Sequence, residues 1–299
     1  MRYIVDHTEP RWALRYQTNG FVNGAATYSA DLVKHQVDLW QGDNIIISTC
    51  PLLHTVDGLP AETDLVVQYL HEYSYALPLA NAQRVISEIK TKYKRIVFVT
   101  AYYGLYVLLK RAGIDTVFIP MTIEADKFKD IESDGIHQEK SIIYFGNVTP
   151  EKQKVYNHLK HAFAKQGWKF DTLSHGKFNG FPVESADVHG IIQGYKYGIG
   201  VGRCALEMLA QGLHIIVAGA EFGGIMVSDA DFDAQTLTNM NGRVTTFDRN
   251  VETCIECLDD TQVRTNDIHE RLPEIEKTIK TYLQTGLQTP NDSQAHPNG

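Results

Sequence analysis

Short apolar runs rich in β-branched residues alternate with longer stretches of helical periodicity along most of this chain, and that alternation narrows the choice of fold more than any other feature. Strands buried on both faces of a parallel sheet read as continuous apolar runs, and each needs a crossover before the next. In the first half, strands are expected at residues 2–5, 44–48, 65–68, 95–100 and 116–120. Helical patterns at 25–39, 80–94 and 103–112 separate them. From 123 to 140 the chain turns polar and charged, as in Glu124-Ala125-Asp126-Lys127-Phe128-Lys129-Asp130, and reads as a connection. A second cycle opens with Ser141-Ile142-Ile143-Tyr144-Phe145-Gly146 and continues with a helix over 150–166 and strands at 169–173, 214–218 and 243–247. Two open α/β domains follow, 1–122 and 141–284, joined by the linker 123–140. A charged helical pattern at 259–283 can pack on either one. The last stretch, 285–299, is rich in Pro, Gly, Asn and Gln and is expected to be disordered.

Length agrees with two cores, since 299 residues exceed the usual size of one domain. The formal net charge of −8 gives no general attraction to nucleic-acid backbones or anionic membranes. No apolar run is long enough for a membrane span, so no stable membrane insertion is expected, and the N-terminus lacks a signal-peptide pattern. A cytoplasmic location is the expectation. Four cysteines in a chain of this length are too sparse for a disulfide framework. Cys254 and Cys257 have redox or zinc spacing but no second ligand pair, and a structural role in a helix is expected. His158 and His161, three apart, read as a solvated helix face.

The segment Tyr197-Gly198-Ile199-Gly200-Val201-Gly202-Arg203-Cys204-Ala205-Leu206-Glu207 carries the most chemistry. Glycines lead into a helix that stops at Gly212, and an apolar strand follows. A helix opened by a glycine-rich loop presents backbone N–H groups and the positive end of its dipole, which together suit a phosphate. Arg203 adds a cation with bidentate geometry, and Glu207 lies one turn on, where a carboxylate can accept bonds from a ribose diol. Two plainer readings stand beside this one. Arg203 and Glu207 at i, i+4 can form a simple helix ion pair, and the glycines can serve close packing of helix on sheet.

This segment resembles the donor-binding helix of retaining glycosyltransferases of family 4, which have the two-domain GT-B architecture. Further segments match in order. Phe145-Gly146-Asn147-Val148-Thr149-Pro150-Glu151-Lys152 is similar to the family's strand–Gly–loop–Lys segment, and Ile119-Pro120-Met121-Thr122 through Phe128 to the segment closing its first domain. Asn19-Gly20-Phe21-Val22-Asn23-Gly24 resembles its first glycine-rich loop, and Phe222-Gly223-Gly224 its later glycine pair. The likeness spans most of residues 15–230. It implies an α/β, GT-B-like fold of two Rossmann-type, doubly wound domains facing a cleft. It also implies a metal-independent hexosyl or pentosyl transferase that moves a sugar from a nucleotide-diphosphate sugar with retention of configuration. The nucleotide sugar is then a co-substrate, and no cofactor is expected.

Carried over residue by residue, the resemblance makes Asn23, Gly24, Gly146, Lys152, Gly200, Gly202, Arg203, Glu207, Gly223 and Gly224 donor-binding. Lys152 and Arg203 would stabilise charge on the leaving diphosphate. His71, after the strand at 65–68, matches a histidine near the sugar; His7 competes for that role, with His175 and His189 behind. Two positions depart from the family pattern: the first glutamate of its Glu-x7-Glu pair falls on Ile199, and an arginine is replaced by Asn147. The acceptor is open among saccharide, small molecule, lipid-linked sugar and modified nucleic acid. A catalytically inactive GT-B-like binding protein and a nucleotide-sugar epimerase are the alternatives. Asp229-Ala230-Asp231-Phe232-Asp233 has the alternating carboxylates of a metal-binding D-x-D element, but its late position favours a polar loop with a helix cap, and no metal is expected.

Overall fold

The structure is a computed structural model that describes residues 2–6, 44–48, 65–69, 91, 96–114, 116–121, 123, 139–184, 187–226, 229–243 and 250–260. His71, Asn23, Gly24, the helical patterns at 25–39 and 80–94 (Thr91 apart), most of the linker and the tail lie outside the described residues, as does all but Arg243 of the strand expected at 243–247. The chain is mixed α/β and divides into two compact units. Described residues up to Ile119 belong to the first and those from Pro120 to the second.

In the first unit, β1 (Arg2–Asp6), β2 (Asn44–Ser48), β3 (Leu65–Tyr69), β4 (Ile96–Thr100) and β5 (Thr116–Phe118) form one parallel sheet. Their spatial order is the chain order, β1-β2-β3-β4-β5. A doubly wound sheet was expected here, and the described strands show no reversal: each new strand is added on the same side of the last. Helix α1 (Tyr103–Arg111) follows β4 and buries Leu105 and Leu109. Lys110 and Arg111 stand in its last turn, where cations suit the negative end of the helix dipole.

The second unit is built on seven strands: β6 (Ser141–Phe145), β7 (Lys169–Ser174), β8 (Lys177–Phe178), β9 (Phe181–Pro182), β10 (Tyr197–Gly200), β11 (His214–Ala218) and β12 (Phe222–Ile225). They lie in the order β12-β11-β10-β6-β7-β8-β9. The central four are parallel, and β12, β8 and β9 pair antiparallel. Here the order does reverse. From β6 the chain passes through α2 (Gln153–Lys165) to β7 on one side. It later returns through α3 (Val188–Gln193) to β10 on the other side of β6, and then moves outward through α4 (Gly202–Ala210) to β11.

Strand alternation assigns the two faces of this sheet. Ile142, Tyr144, Tyr197, Ile199, Ile216, Ala218 and Ile225 share a buried cluster with Leu159 and Phe163 of α2 and with Cys254, Ile255 and Leu258 of α6 (Val251–Asp260). On the opposite face, Gly198, Gly200 and Ile215 meet α4. Edge-on aromatic contacts knit the first face: Phe163 with Trp168 at 5.6 Å, Trp168 with Tyr197 at 5.4 Å and Tyr144 with Tyr156 at 5.0 Å between ring centroids. The Tyr197 hydroxyl donates to the Leu258 carbonyl at 2.7 Å, which fixes α6 along the sheet. Cys254 is fully buried in this core, consistent with a packing role. Among the described residues, no helix is long and apolar enough to cross a membrane.

Candidate functional site

Where two neighbouring parallel strands send their connections in opposite directions, the loops at their carboxyl ends part and leave a crevice. In the second unit that point lies between β6 and β10, which pair with Gly200 opposite Phe145. The two segments singled out in the sequence leave the sheet side by side there: Gly146 to Lys152 after β6, and Val201 to Glu207 after β10.

Gly146 has φ +146°, and a Cβ built on it would meet the Cys204 Sγ at 3.9 Å, so the β6 loop abuts the first turn of α4. Lys152 stands immediately before α2, its N–H donating to the Thr149 carbonyl at 3.0 Å in the turn that starts the helix. Val201 is extended and Gly202 takes φ +54°, a left-handed conformation that glycine adopts without strain, and α4 starts there. Arg203 and Glu207 then follow on one helix face. Their Nε–Oε1 distance is 2.6 Å with side chains only 15% and 14% exposed, so the i, i+4 ion pair is made. Lys152, Arg203 and Glu207 all act on the Cys204 thiol: burial and Glu207 push it up to about 12, with Lys152 and Arg203 pulling the other way. Burial and the Glu207 carboxylate thus favour the neutral thiol, with the charges of Lys152 and Arg203 near enough to oppose them.

Two expectations about the glycines change. Gly198 and Gly200 belong to β10 and not to a loop, and a Cβ on either would collide with Met208 of α4, at 2.5 Å from its Sδ and 2.7 Å from its Cε. Their absent side chains let helix and strand approach, which accounts for Gly200 without a ligand. The Gly202 N–H, expected to face phosphate, donates to the Met240 carbonyl at 3.1 Å. Gly223 and Gly224 are buried in the edge strand β12, two strands away from β10. The structure thus brings Gly146, Lys152, Arg203 and Glu207 together and leaves the β12 pair apart from them.

Asp229, Asp231 and Asp233 lie in the helix α5 (Asp229–Thr236) and not in a loop. Two-residue spacing on a helix sends successive side chains to opposite sides; Asp231 is buried and Asp233 exposed. Among the described residues no three His, Cys, Asp or Glu side chains gather where a metal ion could sit.

The β6 loop is also held from the side of β7. Ser174 and His175, at the carboxyl end of β7, bond to the β6 loop: the Val148 N–H donates to Ser174 Oγ at 3.2 Å and the His175 N–H to Asn147 Oδ1 at 3.2 Å. His175 (φ +51°) and Gly176 (φ +70°) are the two central residues of the β7–β8 turn. A histidine followed by glycine was the only signal for this in the sequence. No protein-family model, no curated protein and no solved structure matches the chain.

Proposed function

We propose that the chain is a nucleotide-sugar-dependent glycosyltransferase, with the donor diphosphate held at the β6/β10 crevice of the second unit. The observation that carries this reading is the reversal of strand order between β6 and β10, because it joins the Lys152 loop and the Arg203 helix turn at the one kind of place where open α/β sheets bind ligands.

In this reading Lys152 and Arg203 offset the negative charge that builds on the diphosphate as the glycosidic bond breaks, a role commonly worth several kcal/mol. Glu207 holds the guanidinium of Arg203 in place and brings a carboxylate to the ribose side. The departing diphosphate takes the acceptor proton, so the protein needs no nucleophile of its own.

A second reading, a nucleotide-sugar-binding relative without transferase activity, draws on two observations. Ile199 occupies the position of the family's first glutamate and is wholly buried in β10. The Gly202 amide is already bonded within the protein.

A thermal-shift screen of UDP, GDP, ADP and TDP and their common sugars, against wild type and Arg203→Ala, tests the donor site. A nucleotide at a hundred times its Kd stabilises the fold by about 2.7 kcal/mol. One nucleotide family is expected to shift wild type and to lose most of that shift in Arg203→Ala. A well-folded protein indifferent to all four would refute the site. Incubating the bound sugar nucleotide with mixed acceptors then separates the two readings: transfer supports the enzyme, and binding without turnover supports the inactive relative.

A further inference from the structure

Asn147 stands where the family pattern has arginine, and its side chain does something an arginine cannot. Its Oδ1 accepts the N–H of His175 at 3.2 Å, across 28 residues of sequence. Guanidinium has no acceptor. Two more bonds run parallel to this one between the β6 loop and the end of β7: the Gly146 N–H to the Leu173 carbonyl at 3.0 Å, and the Val148 N–H to Ser174 Oγ at 3.2 Å. The imidazole Nε2 of His175 approaches the Val148 carbonyl at 3.5 Å and closes the same seam. Three consecutive loop residues, Gly146, Asn147 and Val148, are therefore each tied to one of Leu173, Ser174 and His175. Beyond them the loop turns through Thr149 into Lys152.

We propose that Asn147 and Ser174 are positioning residues, which latch the Gly146–Lys152 loop to the β7–β8 turn so that Lys152 is already placed when a diphosphate arrives. This rests on the donor-site reading given above and adds to it how the site is held. The geometry explains the departure at 147: the chain gives up a cation beside the phosphate and gains a fixed loop. The turn that receives the latch is a two-residue hairpin connection in which His175 and Gly176 both sit in the left-handed region. A preformed loop binds more tightly because less ordering accompanies binding. The latch acts on the diphosphate part of the ligand, so its loss weakens pyrophosphate and a nucleoside diphosphate by the same factor.

The test uses the full chain as wild type, Asn147→Ala, Ser174→Ala and Ser174→Thr, the last of which keeps the hydroxyl that accepts the Val148 N–H. Hydrogen exchange at the loop amides and calorimetric Kd values for UDP, GDP, ADP, TDP and pyrophosphate are read on each. Both alanine variants are expected to exchange about tenfold faster across the loop and to bind the preferred nucleotide and pyrophosphate about tenfold more weakly, in line with the loss of one hydrogen bond. Ser174→Thr is expected to restore both. Wild-type binding that the alanine variants reproduce unchanged, with or without faster exchange, overturns the latch and leaves the donor site standing. Wild type that binds none of the five probes overturns the donor site and the latch with it.

Discussion

Asp171 shows how a single residue can be read through its environment. It lies on β7, almost wholly buried, and accepts from the Tyr195 hydroxyl at 2.6 Å, from Asn179 Nδ2 at 2.7 Å and from the Lys169 ammonium at 2.9 Å. Burial by itself would raise its pKa, but the bonds from Tyr195, Lys169 and Asn179 outweigh it and hold the carboxyl below its ordinary 3.8. The same contact and its own burial push the Tyr195 phenol upward. A carboxyl depressed in the folded state contributes stability that is complete above the unfolded value and is lost as pH falls through the folded one. Asp171→Asn should therefore cost about 1–3 kcal/mol at neutral pH, as a charge-assisted bond becomes a neutral one. Urea titrations from pH 7 down to 3 should show the gap to wild type constant at first and narrowing below about pH 4. A gap independent of pH would mean that the charge plays no part.

Among the elements, β10 is hard to see in the sequence although it lies inside the sheet, between β11 and β6. Tyr197-Gly198-Ile199-Gly200 offers two glycines in four positions, a composition depleted in strands, and it reads as the start of a loop. The side chains missing from one face of β10 are supplied by Met208, which reaches across from α4. Gly198→Ala should cost about 1–3 kcal/mol by overpacking against that thioether. Most of the loss should disappear when the same change is made in a Met208→Ala background, as chemical denaturation in a double-mutant cycle would show. Equal penalties in both backgrounds would assign the glycine to backbone conformation instead. The short strands β8 and β9 were also not anticipated, although Asn179-Gly180 is a strong hairpin signal and both residues take positive φ here. Asn179 further exchanges two bonds with Thr172, its N–H donating at 2.8 Å and its Oδ1 accepting at 2.9 Å, so the second hairpin folds back on β7.

For the molecule as a whole, two compact units mean two cores, and the second owes much of its cohesion to the face that α2 and α6 cover. Phe163 is wholly buried there, in contact with Trp168 and Phe170. Phe163→Ala should remove about 3–5 kcal/mol from the second unit. Hydrogen exchange should show the change at the amides of β6, β7, β10 and β11, and those of the first sheet should keep their wild-type rates. Equal acceleration in both sheets would show that the units unfold together.

The sequence by itself determined the α/β class and, to within two residues at either end, the strands β1 to β7 and β11, because most of them are short runs rich in apolar, β-branched residues and such a run can be read locally. It also offered Arg203 and Glu207 as site candidates from their spacing after the glycines, and Lys152 through a resemblance. Only the tertiary structure decided what lies beside what. Strand order is set by which crossover packs against which face, and nothing in a run such as Thr116–Phe118 or Ser141–Phe145 states whether its neighbour comes before or after it in the chain. The ordered first sheet, the reversed second one and the bond from His175 to Asn147 join residues remote in sequence, and the seat that Gly200 gives Met208 depends on how α4 folds back on β10. Such pairings arise from packing in three dimensions, and periodicity, which reports only a residue's own surroundings, does not contain them.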